Sequence, residues 1–372
     1  MDFLKPCLKN QQITYYRLFE DYPEQIQSYI LSTSCSRDLL NRPEIFGCEF
    51  TRSMRKIITL ALEYFPEREA IRSLEPTSIS VIHFLRSGLN FAIRESLYDA
   101  IGFNTHLSSF LTSQRQRNRF GRWYIKDDQY RKLEIPEGAS LFIGEIVATG
   151  VTVQNGFDII FRLAKNLGRS VRNVFFFTIG CHKAEKTLRK YDILFRSVFP
   201  NYQKTYLVYI EGKFHLADSK TKVAVKLQGT DLLRSPALLA PEFELSQFRN
   251  LSYPLERCVI YDGGARAFNV PEYLEDVRSY WEKMLELAHR GLTLKKAFAE
   301  RWPADEYELP FARFAAAKKK TWRGISHSLL QQLYRAHQDR WTDEFKRRAA
   351  TSQPLINLCR RRLRNLGDGL EK

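Results

Sequence analysis

Residues 141–160 place small and hydroxyl-bearing side chains between an apolar run and a helical repeat. The first part is apolar and β-branched, which is typical of a buried parallel strand, and apolar residues after position 152 recur at helical spacing. A loop of small residues before a helix lets backbone N–H groups approach an anion without steric interference from a Cβ. The pattern predicts a phosphate-binding loop, with Glu145 beside it as a partner for ribose hydroxyls or a metal ion. The predicted phosphate-binding residues are Ala148, Thr149, Gly150, Val151 and Thr152.

Two more loops follow apolar runs. Arg86, Ser87 and Gly88 come directly after residues 79–85; Gly88 permits a conformation that a Cβ would hinder, and Arg86 can neutralise phosphate. After residues 258–261 come Asp262, Gly263 and Gly264, where paired glycines let backbone amides approach a ligand and Asp262 can hold a hydroxyl or a Mg²⁺-bound water. Each loop alone is equally consistent with an ordinary turn between strand and helix. Because ligands of open α/β sheets bind at the carboxyl ends of strands, we expect the three loops to form one site.

Alternation of strand and helix patterns surrounds these loops. Apolar runs at 79–85, 106–111 and 174–179, with helical patterns between and after them, predict an α/β fold with a parallel sheet. Residues 1–75 have helical spacing, including Tyr15, Tyr16, Leu18, Phe19 and residues 50–62. We therefore expect a helical N-terminal segment over 1–75 and an α/β domain over 76–270.

After residue 202 the regular alternation of strand and helix patterns ends. Residues 205–216 are interpreted as two strands joined by a turn at Glu211 and Gly212, and a proline-containing loop is expected at 235–241. This region is an insertion in the α/β domain at about 203–250. From residue 271 to 372 the chain is predicted to be helical and basic. The predicted helices are 273–289, 295–301, 325–350 and 356–366.

The three loops together resemble those of a known enzyme family. Residues 144–152 (GEIVATGVT) resemble the PRPP-binding signature of type I phosphoribosyltransferases, with Gly144 where the family has the first of two acids. Residues 85–89 (LRSGL) are similar to the LRAGL loop of uracil phosphoribosyltransferases, which contacts pyrophosphate. Residues 262–268 (DGGARAF) look like their D-A-G-D-R-x-F segment around the base, with Ala265 in place of the second acid.

The resemblance implies a phosphoribosyltransferase-type, Rossmann-like core that binds PRPP above the parallel sheet, with Mg²⁺ held through PRPP rather than by the protein. It implies catalytic roles for Glu145 and Asp262, and a base-side role for Gly263, Gly264 and Arg266. The reaction would be transfer between PRPP and a nucleobase, or cleavage of a nucleotide glycosidic bond. Residues 115–132, a basic hairpin in the pattern, stand where that family has a mobile covering loop; a solvated hairpin or part of a polyanion-binding surface is the alternative.

Positive charge is concentrated near the end of the chain. The net charge is +16, and residues 313–372 carry 15 Lys and Arg against 5 Asp and Glu. This concentration predicts a nucleic-acid or nucleoprotein partner, because phosphate neutralisation releases counterions; a solvated basic surface is the alternative. Trp281, Trp302, Trp322 and Trp341 are expected to pack helices rather than stack on bases, and His83 to be a core residue. The predicted polyanion contacts are Lys318, Lys319, Lys320, Arg323, Lys346, Arg347, Arg348, Arg360, Arg361 and Arg362.

Several classes of protein are disfavoured. There is no apolar run of the ~18–20 residues that a membrane span needs, and the first residues lack the apolar centre of a signal peptide. Six cysteines without a CxxC pair indicate neither a zinc site nor a disulfide framework, so a cytoplasmic protein is expected. An oligomer is compatible with the sequence. Besides an enzyme, the sequence is compatible with a nucleotide sensor that binds nucleic acid, or with a nucleotide-depleting toxin or antiphage effector tethered by its basic region.

Overall fold

The computed structural model describes residues 2–20, 26–112, 114–118, 123–127, 130–227, 229–257, 263–302 and 305–368. The strands are β1 (Phe3–Lys9), β2 (Ile13–Phe19), β3 (Gln27–Thr33), β4 (Ile79–Leu85), β5 (Leu107–Thr112), β6 (Gln114–Arg117), β7 (Trp123–Asp127), β8 (Arg131–Lys132), β9 (Ala139–Val147), β10 (Val171–Cys181), β11 (Lys204–Leu216) and β12 (Leu232–Leu239). The helices are α1 (Ser34–Asn41), α2 (Gly47–Glu63), α3 (Glu69–Arg72), α4 (Ile93–Ile101), α5 (Val151–Asn166), α6 (His182–Val198), α7 (Pro241–Ser246), α8 (Gly263–Phe268), α9 (Val270–His289), α10 (Leu294–Ala299), α11 (Phe311–Thr321), α12 (His327–Arg340), α13 (Asp343–Ala349) and α14 (Gln353–Asp368). The fold is α/β, as predicted.

One large mixed sheet organises these elements. Its strand order is β1-β2-β3-β11-β10-β9-β4-β5-β8, with β12 paired to β11, and β6 and β7 form a separate hairpin. The six strands from β3 to β5 in that order are mutually parallel, whereas β1, β2, β8 and β12 pair antiparallel. The prediction of a mainly parallel sheet is therefore confirmed.

Five of the six parallel strands, β4, β5, β9, β10 and β11, lie in the spatial order 2-1-3-4-5 when these five are numbered along the chain; β3 adds a sixth parallel strand beyond β11. In this order β5 lies on one side of β4, and the later strands lie on the other side, beginning with β9. The connections after β4 and β9 therefore diverge, which opens a crevice at the carboxyl ends of these two neighbours. Ligands of doubly wound sheets bind at such a switch point.

Aromatic rings fix the three central strands against one another. Phe175 of β10 is in register with Phe142 of β9 and with Tyr206 of β11. Its ring stacks on both, with centroid separations of 4.5 and 4.8 Å. All three side chains are buried. Stacked cross-strand pairs of this kind add to the hydrophobic stabilisation of a sheet and hold its register, which sets the positions of the loops that follow.

The N-terminal segment contradicts one prediction. Residues 50–62 are helical within α2, as predicted, but residues 3–33 form three strands rather than helices. Tyr15 and Tyr16 are buried on opposite faces of β2, where their hydroxyls donate to the carbonyl oxygen of Ala61 and to the carboxylate of Glu242. A strand covered on both faces has no period-2 alternation, so its apolar residues matched helical spacing by coincidence.

The predicted turn at Glu211 and the predicted loop at 235–241 are also wrong. The single strand β11 continues through both residues of the expected turn, and β12 pairs with it antiparallel over much of the expected loop. Glu211 has φ of +64°, and the register against β10 shifts between Thr178 and Gly180, so the irregularity is a bulge inside a strand rather than a reversal. A Cβ on Gly212 would lie 2.7 Å from Leu239, which explains the glycine there.

Glu211 makes the stability of this protein depend on pH. Its side chain is fully buried, and burial raises its pKa to about 7 although Ser36 and the backbone N–H of Thr33 donate to Oε1. The folded state keeps the proton up to about pH 7 while the unfolded chain loses it near 4.5, so the free energy of unfolding falls as pH rises through this window. We expect Glu211→Gln to gain about 3 kcal/mol of stability relative to the native chain between pH 5 and pH 8. Urea unfolding at both pH values measures this change, with Glu69→Gln at an exposed position as the control. If the difference in the free energy of unfolding between Glu211→Gln and the native chain is the same at both pH values, the prediction is wrong.

The C-terminal helices pack onto the sheet domain. The four predicted helical stretches are confirmed, although 325–350 is divided between α12 and α13. All four tryptophans of this region are buried, as predicted. Trp322 donates from Nε1 to the carbonyl oxygen of Leu239 at 2.9 Å, and the N–H of Arg323 donates to the carbonyl oxygen of Leu4 at 2.8 Å. Within the described residues, no helix has both the length and the apolar character to cross a membrane.

Candidate active site

A cavity of about 960 Å³ lies at the switch point between β4 and β9. Its walls come from the loops that follow these two strands, from the start of α8 and from one side of α9. Of the residues predicted to form a site, those that line the cavity are Arg86, Ser87, Glu145, Ala148, Thr149, Gly150, Thr152, Gly263 and Gly264. The structure therefore brings the three predicted loops to one place.

The loop between β9 and α5 has the geometry of an anion cradle. Gly150 is the N-terminal cap of α5 with φ of +76°, a conformation that favours glycine, and its carbonyl oxygen accepts the first helical bond from the N–H of Gln154 at 2.9 Å. The N–H of Val151 lies 3.4 Å from Oγ1 of Thr149. Gly150 has no side chain with which to cap the helix, so the amides of the first turn beyond Val151 and the partial positive charge of the N-terminus are available to a ligand.

Glu145 connects two of the loops. It is 5 % exposed, and its Oε1 accepts hydrogen bonds from Oγ of Ser87 and from the N–H of Ile146. Oγ1 of Thr178 on the neighbouring strand donates to the Glu145 carbonyl oxygen at 2.7 Å. The carboxylate is thus held at the cavity wall by contacts from the loop after β4 and from its own strand. A carboxylate fixed in this way is positioned to accept hydrogen bonds from sugar hydroxyls.

The residue before it cannot be an acid in this structure. A Cβ built on Gly144 would lie 2.3 Å from Cγ and 2.4 Å from Cβ of Phe91. Phe91 is fully buried in the 3₁₀ turn Ser87–Phe91, so its ring fills the space that a second side chain would need. Gly144 therefore packs the loop after β4 against β9, and the site has one carboxylate at the end of β9.

The remaining residues of the first two loops have different roles. Arg86 is exposed at the rim of the cavity, where its charge is available to an anionic ligand, and the peptide bond between Leu85 and Arg86 is cis. Gly88 and Val151, predicted to bind phosphate, do not line the cavity. A Cβ on Gly88 would lie 3.2 Å from the carbonyl oxygen of Gly144, so this glycine allows the loop to approach β9.

In the third loop, the structure places Gly263 and Gly264 at the cavity but Arg266 elsewhere. Asp262 lies outside the described residues, as does the strand predicted at 258–261. Gly263 begins α8 against the cavity, with its carbonyl oxygen accepting from Nδ2 of Asn90 at 2.8 Å. Arg266, predicted on the base side, is buried away from the cavity and donates to the carbonyl oxygens of Leu39, Arg42 and Ile45. Its guanidinium anchors the chain between α1 and α2.

Sequence reasoning missed a charged cluster on the opposite wall. The guanidinium of Arg257 lies between Asp231, whose Oδ1 is 3.3 Å from Nε, and Asp276 of α9. Asp231 is buried, which raises its pKa, and its Oδ2 accepts from the N–H of Leu227 at 2.8 Å. These residues carry no motif or spacing that marks them. Thr112 also lines the cavity, and the rule that strand ends hold ligands would have indicated it, since it ends β5.

Two predicted polyanion contacts are structural instead. Lys318 is buried and its Nζ lies 2.7 Å from carboxylate oxygens of both Glu244 and Glu306. Arg362 is buried between Glu44 and Glu256. Of the other predicted contacts, Lys346 is half-buried and pairs with Glu308. The exposed ones are Lys319, Lys320, Arg323, Arg347, Arg348, Arg360 and Arg361.

The donor set of the cavity suits a metal ion that arrives with its ligand. Among the described residues, no group of three or more His, Cys, Asp or Glu side chains is placed to hold a metal ion. Glu145 is the carboxylate beside the anion cradle; the other acids of the lining, Asp231, Glu272, Glu275 and Asp276, belong to α9 or to the segment before β12. One carboxylate beside the cradle would fit Mg²⁺ that is already coordinated by phosphate oxygens, because Mg²⁺ in such sites keeps waters and takes few protein ligands. No known family model matches the chain, and no curated protein matches it. The function is therefore inferred from the chemistry of the cavity.

Proposed function

We propose that this protein is a phosphoribosyltransferase-like enzyme that acts at C1′ of a 5-phosphoribosyl compound. The observation that carries the proposal is the convergence of the anion cradle at 148–152, the carboxylate of Glu145 and the charge of Arg86 on one cavity at the strand switch point. The sheet order 2-1-3-4-5 and the resemblance of the three loops support a phosphoribosyltransferase-type core.

Each part of the cavity would hold one part of the substrate. The backbone amides at the start of α5 and the hydroxyls of Thr149 and Thr152 would bind the 5′-phosphate. Glu145 would accept hydrogen bonds from the ribose hydroxyls, and the loop at Arg86 and Ser87 would bind pyrophosphate together with its Mg²⁺. Gly263 and Gly264 at the start of α8 would face the base.

The proposed reaction uses each of these groups of the cavity. In the direction of synthesis, the bond between C1′ and the pyrophosphate oxygen breaks with its electron pair on pyrophosphate, a ring nitrogen of the base bonds to C1′, and that nitrogen loses its proton. In the reverse direction, the C1′–N bond of a nucleotide breaks with its electron pair on the base nitrogen, which takes up a proton, and a pyrophosphate oxygen bonds to C1′. Both pass through a cationic sugar, so fixed donors around the leaving group and exclusion of water supply the catalysis. A buried Glu145 beside the ribose is suited to stabilise that positive charge.

The proposal is tested by measuring ligand binding and product formation. The purified native chain should bind PRPP or a nucleoside monophosphate in calorimetry with Mg²⁺ present. Incubation with PRPP and each nucleobase, or with each nucleotide and pyrophosphate, should give products visible by mass spectrometry. Absence of both binding and products with every compound would refute the proposal.

A second function has one specific observation in its favour. Because Phe91 fills the position of a second acid beside Glu145, the cavity has fewer groups for the sugar than the family pattern provides. We therefore also consider a sensor that binds PRPP or a nucleotide without turnover and contacts nucleic acid through its basic surface. Saturable binding in calorimetry, without products in any incubation, would favour this function over catalysis.

A further inference from the structure

A second concave site lies at the β1 edge of the sheet, several strands away from the switch point between β4 and β9. It forms where β1 ends, between α1, the segment after α7 and the beginning of α12, and its volume is about 290 Å³. Its polar lining consists of Lys9, Arg37, Glu242, Arg249, Ser326 and Gln332, together with Ser328. It shares no residue with the candidate active site. We refer to it as the edge notch.

Positive charge dominates the edge notch. The lining contains three cations from three different elements and one carboxylate, Glu242, which already accepts hydrogen bonds from the hydroxyl of Tyr16 at 2.7 and 2.9 Å. Lys9 is 4.0 Å from Glu242 with its side chain 61 % exposed, so the pair is weak. In the part of the chain that the structure describes, the guanidinium of Arg249 contacts no carboxylate. The notch therefore has an excess of positive charge that an anion would neutralise.

Hydrogen-bond donors of the right type accompany this charge. Ser326 caps α12, a helix of 14 residues, and its Oγ accepts from the N–H of Leu329 at 3.2 Å. The hydroxyl of Ser328 and the N-terminal end of α12 lie at the notch. Arginine and lysine side chains beside a helix N-terminus form a favourable environment for a phosphate group. An apolar ligand would gain little there, since Leu245 and Leu329 are the only apolar members of the described lining.

The surface around the edge notch indicates a polymer of phosphates rather than one. The segment Trp322–Ser326 runs along β1, with a bridge between Leu4 and Trp322, and it places Arg323 over the ring of Phe3 at 3.6 Å. Phe3 stacks on Phe19 of β2 at 4.7 Å, and Arg17 lies over that second ring. Further exposed cations lie on β1 itself and on the elements packed beside it: Lys5 on β1, Arg323 on the bridged segment, and Lys319 and Lys320 on α11. Several separate cations on one side of the molecule suit the repeated charges of a nucleic-acid backbone.

We propose that the edge notch binds a backbone phosphate of a nucleic acid that lies along the β1 edge. This site goes beyond the function of the cavity at the switch point, and it includes residues near the beginning of the chain as well as the basic C-terminal region. Arg37 also lies near the buried Glu211, so Lys9 and Arg249, which are exposed, are the residues to change.

Fluorescence anisotropy tests the proposal. Two labelled oligonucleotides of about 20 nucleotides, one single-stranded RNA and one duplex DNA, are titrated separately with the protein. The double variant Lys9→Glu, Arg249→Glu should bind the oligonucleotide at least tenfold more weakly than the native chain. The slope of the logarithm of the association constant against the logarithm of the salt concentration should become shallower by roughly 1 to 2. The control Arg72→Glu, Lys165→Glu makes the same charge change at exposed positions elsewhere and should change affinity less than threefold. Thermal unfolding of both variants verifies that they are folded.

Three outcomes would overturn the proposal. The first is an equal loss of affinity in the notch variant and in the control variant. The second is that the native chain binds neither nucleic acid at low salt. The third is that inorganic phosphate alone competes as well per mole as the oligonucleotide. The last outcome would assign the notch to a free phosphate group instead of a backbone. None of these results depends on turnover at the switch point, so the proposed enzymatic function is tested separately.

Discussion

Glu145→Gln should lower turnover of the phosphoribosyl substrate on the order of 100-fold, the effect of removing one group that stabilises charge in the transition state. Glutamine keeps an oxygen that can accept from Ser87 and from the N–H of Ile146, so the loops around the cavity should stay in place. It removes the negative charge next to the cationic sugar. Steady-state kinetics should therefore show the loss mainly in kcat.

A matched variant separates this effect from a general disturbance. Asp158→Asn makes the same change on α5, at a partly exposed carboxylate 3.7 Å from Lys190 and outside the cavity, and should leave kcat near the native value. Thermal unfolding and far-UV circular dichroism should be close to native for both variants. Native turnover by Glu145→Gln would remove Glu145 from the catalytic role, whereas an equal loss in Asp158→Asn would assign the effect to the helix.

Gly144→Ala should destabilise the protein by about 3 kcal/mol, the upper part of the usual range for overpacking a core. The added methyl group would overlap the ring of Phe91, which has no space to withdraw because it is fully buried. Gly144→Asp should be at least as destabilising, so an acid introduced there would not give the site a second ribose ligand. Urea unfolding of the purified variants measures both effects.

A double-mutant cycle identifies the contact responsible. Phe91→Ala alone should cost ~3–5 kcal/mol, the usual range for truncating a buried phenylalanine. Combined with Gly144→Ala, it vacates the space that the methyl group needs. The double variant should therefore be more stable than the sum of the single changes predicts, by about 2 kcal/mol. Additive costs would show that Gly144 is required for a reason other than Phe91.

The parts of the site that could be predicted from sequence are the local ones. Residues 141–160 form the predicted strand, loop and helix, because a strand buried on both faces and an amphipathic helix each leave a continuous pattern in the chain. The loop at Arg86 could be predicted because the carboxyl ends of parallel strands share one edge of the sheet, and Arg86 directly follows β4. No knowledge of distant contacts was needed for either prediction.

The parts that could not be predicted depend on partners far away in sequence. Arg266 and Arg362 resemble ligand-binding cations in the sequence, but the first bonds to carbonyl groups 221–227 residues away and the second to Glu44 and Glu256. The cluster around Arg257 likewise draws its acids from separate elements. Burial decides whether a cation serves a ligand or the fold, and burial follows from the tertiary packing rather than from the local pattern.

The bridge between Leu4 and Trp322 has a consequence for biosynthesis. Strand β1 obtains its outer neighbour only after more than 300 further residues have been made, which takes roughly 15 to 65 seconds at ordinary rates of translation. During this interval β1 is an edge strand with unpaired backbone groups, the kind of surface to which chaperones and other nascent chains bind. The yield of folded protein should therefore depend on synthesis beyond position 322, and a ribosome stalled before that position would release an aggregation-prone product.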